Sequence, residues 1–173
     1  MRPTGPLRAF SLIEVIVAVA VFAGAVAVIL ALLPGLANRG AETADRLTAQ
    51  RLPEALRVEL KRWATPGVEV LAAQTPLLGP SPADGLAFVA SRDGVRLQPR
   101  DNPGSGAGPM PEAEQYFLVE CWRFSDGALR FDPATGALAL TVRVSWPYRT
   151  PGSTAGSAPE SRHELMFVVG VTR

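Results

Sequence analysis

Glu14 is a carboxylate set inside an apolar run that reaches from Phe10 to Leu33, where the other polar side chain is Ser11. A charged group at the centre of a bilayer-crossing helix costs on the order of 2.5–3.5 kcal/mol, so an acid inside such a segment is expected to have a partner and a task. Chemistry elsewhere is sparse. Cys121 is the single cysteine and His163 the single histidine; they form no recognisable nucleophile–base motif, and neither belongs to a cluster with metal-ligand spacing. Asp84, Asp93, Asp101, Glu112, Glu114, Asp126 and Asp132 are scattered over turn-like segments, without the alternating oxygen ligands of a dedicated calcium loop. The expectation is a non-enzymatic chain with no catalytic residue, no metal and no cofactor.

The segment that carries Glu14 is 24 residues long. As a helix it measures roughly 36 Å, against about 30 Å for a hydrocarbon core. Arg2 and Arg8 precede it without any acid, whereas Arg39, Glu42, Asp45 and Arg46 beyond it nearly cancel. The positive-inside tendency therefore puts the N-terminus in the cytoplasm and the bulk of the chain outside. An ordinary secretory signal also has a basic start and an apolar core, but that core is about 7–15 residues and ends in a small-residue cleavage site. An uncleaved signal anchor is the other competing reading.

Ala9-Phe10-Ser11-Leu12-Ile13-Glu14-Val15, after a short leader with Arg2 and Arg8, resembles the start of the type IV pilin-like proteins, which include pilins and the pseudopilins of type II secretion. In that family a basic leader ends in a small residue, usually Gly, followed by Phe, apolar residues and Glu at the fifth mature position. Phe10 and Glu14 fall at the matching places, and the departure is Ala9 where Gly is usual. The resemblance implies cleavage by the prepilin peptidase between Ala9 and Phe10 on the cytoplasmic side, and methylation of the new Phe10 amine. It also implies a single-pass stay in the bacterial inner membrane with the C-terminal part periplasmic, then assembly into a pilus or pseudopilus. The implied partners are other pilin or pseudopilin subunits, the peptidase and the inner-membrane assembly platform. Within a fibre, a buried ammonium on Phe10 is costly unless a carboxylate such as Glu14 of a neighbouring subunit offsets it. An acid in the first turn also suits the positive end of the helix dipole, by roughly 0.3–1 kcal/mol.

Elements that would position this segment follow from periodicity. Pro34-Gly35 should bend the helix or end it. From residue 41 to 63 the pattern is amphipathic: Leu52, Leu56, Leu60 and Trp63 form one stripe, and Arg51, Glu54, Arg57, Glu59, Lys61 and Arg62 fill other faces. Pro53 either kinks this helix or starts a second one. Thr65-Pro66-Gly67 ends the helical region. Short extended segments are expected at 68–72, 86–90 and 95–98, the last two joined by a turn at Asp93-Gly94. A second pair, 116–124 and 128–131, flanks Asp126-Gly127, and 132–136 is a further turn. In 138–148, Leu140, Val142, Val144 and Trp146 share one face; in the last segment Leu165, Phe167, Val169 and Val171 do the same. The fold class expected is α+β, a long N-terminal helix packed on a small antiparallel sheet; this is also the pilin-like fold.

Residues 99–114 and 149–162 are rich in Pro, Gly, Ser and Thr and read as exposed, mobile loops, either recognition surfaces or plain connections. Trp63, Trp122 and Trp146 lie in patterned segments and read as core or sheet-face residues. With 17 basic and 16 acidic residues the net charge is +1, so nucleic-acid binding is not indicated. One cysteine excludes an intramolecular disulfide. The segment Thr141-Val142-Arg143-Val144-Ser145-Trp146 is similar to the V-x-V-x-W ending of minor pilins and I-type minor pseudopilins, and the missing disulfide and calcium loop fit such a subunit. Residues 1–9 are thus a leader, 10–33 a membrane and fibre-core helix, 34–65 its amphipathic continuation and 66–173 a β-rich periplasmic domain. Lateral packing would use small residues such as Ala18, Ala20, Ala23, Gly24, Ala25 and Ala27. The reading from a different class is a signal-anchored periplasmic ligand-binding module that uses the 99–114 and 149–162 loops.

Overall fold

The computed structural model describes residues 11–77, 79, 85–100, 108–149 and 162–172. It is an α+β chain in the order α1 (Leu12–Trp63), α2 (Val68–Gln74), β1 (Leu86–Ala90), β2 (Leu97–Pro99), β3 (Phe117–Arg123), β4 (Ala137–Trp146) and β5 (His163–Thr172). Two compact units divide it, Met1–Thr43 and Ala44–Arg173.

Within the first unit α1 is apolar and its side chains face outward, from Leu12 through Leu33. Helix α1 runs without a break through both Pro34 and Pro53. Neither proline ends the helix, although each lacks the N–H that would bond back to the carbonyl four residues earlier.

The second unit is built around one sheet, strand order β2-β1-β3-β4-β5, with every neighbour antiparallel. The stripe anticipated on α1 is its lid: Leu52, Leu56 and Leu60 are fully buried, and Trp63 meets Phe88 of β1 edge to face at 5.9 Å. Each buried leucine contributes roughly 1.5–3 kcal/mol relative to exposure. Leu140, Val142, Val144 and Trp146 of β4 line the same core, with Val169 and Val171 of β5. Alternation along β4 and β5 thus predicts their faces correctly.

Three local expectations need correction. Residues 68–72 form a helix rather than a strand: Val68, Leu71 and Ala72 are buried at helical spacing while Val70 is exposed. The two valines favour strand by propensity, but burial on the core side decides. Residues 128–131 are no strand either; β3 takes β4 as its partner in the register Leu118↔Ser145 to Arg123↔Leu140. Residues 128–130 instead form a turn closed on Gly127, which adopts φ 79° and accepts a bond from Arg130 N at 3.2 Å. The hairpin β1–β2 has a longer connection than a tight Asp93-Gly94 turn. Ser91 N donates to Arg96 O at 3.0 Å, and the Asp93 carboxylate takes bonds from Ser91 Oγ at 2.6 Å and Val95 N at 3.0 Å. Strand β2 therefore starts at Leu97. The turn at 132–136 is as expected, a short 3-10 helix capped by the Asp132 side chain and closed by Gly136 at φ 60°.

The second face of the sheet is also covered at β1. Met110 packs with Ala87, Val89 and Leu118, beside Tyr148. The expected exposed loop at 99–114 is in part ordered structure: Pro99 ends β2, Met110 is buried and Glu112–Glu114 is a 3-10 turn. Residues 101–107 and 150–161 lie outside the described residues.

Candidate functional site

Unit by unit, two arrangements carry polar chemistry next to apolar surface. The first opens α1. Ser11 N donates to Glu14 Oε2 at 3.4 Å, and Glu14 N donates to Ser11 Oγ at 3.3 Å. This reciprocal pair is a capping box, long in both bonds, in which Ser11 and Glu14 satisfy each other's free amides at the helix start. The Ser-x-x-Glu spacing in the sequence is the local signal for it, and it gives Glu14 an intrachain role that the apolar-run argument overlooks. Val15, Ala18, Val19 and Phe22 continue the face next to Glu14, all exposed. Leu12–Trp63 contains a stretch long and apolar enough to cross a membrane, with none of that stretch buried. The cleavage and methylation positions, Ala9 and Phe10, and the leader 1–9 lie outside the described residues.

The second arrangement was not anticipated. Asp45 follows the inward stripe of α1, four residues before Ala49, and is 7% exposed. Its carboxylate takes both Arg92 Nε at 2.9 Å and Arg92 Nη2 at 3.1 Å, and Tyr116 Oη donates to Oδ2 at 2.6 Å. The Arg92 guanidinium lies 4.9 Å from the centre of the Tyr116 ring. A fork-to-fork pair of this kind is stronger than a neutral hydrogen bond and fixes orientation. It joins α1, the β1–β2 connection and the start of β3. A groove of about 480 Å³ beside it is lined by Ser91, Arg92, Val95, Arg96, Glu114 and Tyr116.

Burial, together with the bond to Asp45, pushes the Tyr116 hydroxyl up to about 12. Because the folded chain holds this proton more tightly than the unfolded one, the contribution is complete below about pH 10, the ordinary tyrosine value. It is lost as pH rises from there through about 12. Tyr116→Phe is therefore expected to be less stable than the parent at neutral pH, by about 1 kcal/mol for one lost hydrogen bond. The gap should close across that alkaline window; unfolding midpoints of the two proteins that stay equally far apart at all pH values would refute this.

The other residues singled out in the sequence lie within the sheet unit. Cys121 is buried on β3, and burial raises its thiol well above the ordinary range, which keeps it protonated and unreactive. His163 opens β5 and stacks on Trp146 with ring centres 5.6 Å apart. Trp146 is buried, Trp63 partly so, and Trp122 lies half-exposed on β3. On the outer sheet face Glu120 receives Arg143 Nε at 3.0 Å and Nη2 at 2.8 Å, and Arg143 Nη1 stands 3.5 Å from Glu164. Arg149 pairs with Glu112. Among the described residues no group of three or more His, Cys, Asp or Glu side chains is placed to hold a metal ion.

The long apolar N-terminal helix and the small antiparallel sheet are compatible with a pilin-like or a signal-anchored protein. The chain matches no protein-family model, no curated protein and no solved structure.

Proposed function

We infer that the chain is a structural subunit, a minor pilin or pseudopilin of a type IV pilus or type II secretion system. In this reading it is made as a prepilin, cut after Ala9 by the prepilin peptidase and methylated on Phe10. It sits once through the bacterial inner membrane with its N-terminus cytoplasmic and its C-terminal unit periplasmic. From there it is drawn by the assembly platform into a fibre of sister subunits. The observation that carries the reading is an apolar, outward-facing helix with a carboxylate in its first turn. Removal of the leader would make Phe10 N an ammonium four residues from Glu14, and a fibre packed through these helices would bury it. Glu14 of one subunit then offsets Phe10 N of the next, and the small side chains from Ala18 to Ala27 allow close lateral approach.

The capping box offers a rival account of Glu14, and the two separate cleanly. Glutamine also serves at the third helical position of a capping box. Glu14→Gln and Glu14→Ala are therefore both expected to insert in the membrane yet to fall about tenfold or more in fibre incorporation, as the loss of a charge-assisted contact worth at least about 1.4 kcal/mol requires. Immunoblots of sheared fibres against membranes read the outcome. Glutamine incorporated as well as glutamate would assign the residue to capping alone. A second reading, a signal-anchored ligand-binding module, is favoured by the groove next to Arg92 and Arg96. Mass spectrometry of the N-terminus decides: a methylated Phe10 supports the subunit, an intact Met1 the anchored module.

A further inference from the structure

Residues 108–115 lie against the outer face of the sheet as a strap, and of their side chains Met110 alone is buried, 3% exposed against Ala87, Val89 and Leu118. The other holds are polar and reach solvent. Glu114 takes Arg96 Nη1 at 2.5 Å from the β1–β2 connection, Glu112 pairs with Arg149 beyond β4, and the Gln98 amide donates to Gly108 O at 3.5 Å. Both glutamate side chains are open to water, so dissolved salt screens both pairs. Among the described residues no backbone group from Pro109 to Glu114 bonds outside the strap. Glu114 N donates to Pro111 O and Gln115 N to Glu112 O, which folds the segment on itself. Its firm anchor is the far end, where Arg149 N donates to Gln115 O at 3.2 Å and Tyr116 N to Ala90 O at 2.9 Å.

Closure also strands polar atoms. Gln98 Oε1 and Arg149 Nε belong to the two side chains that hold the strap at Gly108 and Glu112, and both atoms are buried without a hydrogen-bond partner among the described residues. Release of the strap would admit water to them, and a buried polar atom left unpaired opposes the closed form. Pro109 and Pro111 flank Met110 and stiffen the backbone, which limits the conformational entropy lost on closing. A single apolar side chain can therefore seat the strap, but with little to spare.

We propose that residues 108–115 open and close locally on the folded sheet, hinged at Gln115, with the Arg96–Glu114 and Arg149–Glu112 pairs as salt-sensitive latches. Segments held by few apolar contacts and few backbone bonds open at a lower free energy than the whole unit. Ala113 and Glu114 also wall the groove beside Arg92. Opening thus removes the carboxylate from Arg96 and widens that groove in the same movement that bares Ala87, Val89 and Leu118. The device belongs to the sheet unit and rests on neither reading of the function given above.

The full chain in mild detergent carries its own pair of reporters. Hydrogen peroxide transfers one oxygen atom to a methionine thioether and leaves water, so the rate follows access to the sulfur. Met166, 63% exposed on β5, is the open standard, and Met110 is the gated one. Peptide mapping by mass spectrometry reads both rates in one sample. In low salt Met110 is expected to oxidise at most about a tenth as fast as Met166, because only the open fraction reacts. Raising NaCl to about 1 M should speed Met110 by about threefold or more while Met166 stays unchanged, and so should Glu112→Gln combined with Glu114→Gln in low salt. Urea below the global transition should leave the Met110 rate nearly flat, since a short strap exposes little surface when it opens. The proposal is overturned if Met110 keeps pace with Met166 in low salt, or if salt and the double variant leave its rate unchanged. It fails equally if the Met110 rate climbs with urea as steeply as global unfolding does. None of these readouts depends on Glu14, so failure of fibre incorporation and failure of this opening are distinguishable.

Discussion

Phe88→Ala is expected to lower the stability of the second unit by about 3–5 kcal/mol, the range for removing a fully buried aromatic side chain. Phe88 is completely buried and holds the edge-to-face contact with Trp63, so its ring is where the end of α1 meets β1. The lost transfer energy is compounded by the hollow left behind, because Leu52, Leu56 and Leu60 sit on a helix and cannot move independently into the space. Urea unfolding of the full chain in detergent, followed by tryptophan fluorescence, checks this. Val95→Ala is the control and should change the midpoint by no more than about 0.5 kcal/mol in equivalent stability. A loss below about 1 kcal/mol for Phe88→Ala would mean that the helix–sheet contact is not a principal source of stability.

Asp45→Ala is the second large effect, about 2 kcal/mol. The carboxylate is shared by Arg92 and Tyr116, and its removal leaves the half-buried Tyr116 hydroxyl without an acceptor while Arg92 loses both of its short bonds. A hydrogen bond to a charged group is worth about 1.5–3 kcal/mol, and the Arg92 side chain is 59% exposed, so water replaces part of what it loses. Asp45→Asn keeps one acceptor oxygen and should cost about half as much. With the charge gone in either variant, the phenol loses one of the groups that hold its proton. Its ionisation should move down toward the ordinary tyrosine range, visible as earlier tyrosinate absorbance on alkaline titration. An unchanged Tyr116 titration in Asp45→Ala would show that the bond does not form in solution.

Why some of this was legible in the sequence and some was not has a physical cause in each case. The stripe Leu52, Leu56, Leu60 and Trp63 and the alternation along β4 and β5 are patterns of one face buried and one face not, and the folded chain keeps them. The α+β class follows from them. Helix α2 is only seven residues, too short for a period to outweigh two β-branched valines, and it is defined by what it is packed on. The Asp45 cluster joins residues 47 and 71 positions apart, which no local spacing announces. A trace of it existed: counted back from Leu52 by three and then four, the inward stripe reaches Ala49 and then an aspartate, and an acid at an inward position needs a partner. Glu14 is the opposite case: its capping signal, Ser11-x-x-Glu14, is local and four residues wide, and it lies inside the apolar run.

Strand β1, covered by α1 on one side and by Met110 on the other, reads Leu-Ala-Phe-Val-Ala with no charge, no proline and no alternation. A stretch of this composition is the kind that nucleates cross-β stacking when a chain is denatured or newly made. Closure of the two layers over it therefore does more than stabilise: it withdraws from solvent a five-residue segment of that kind.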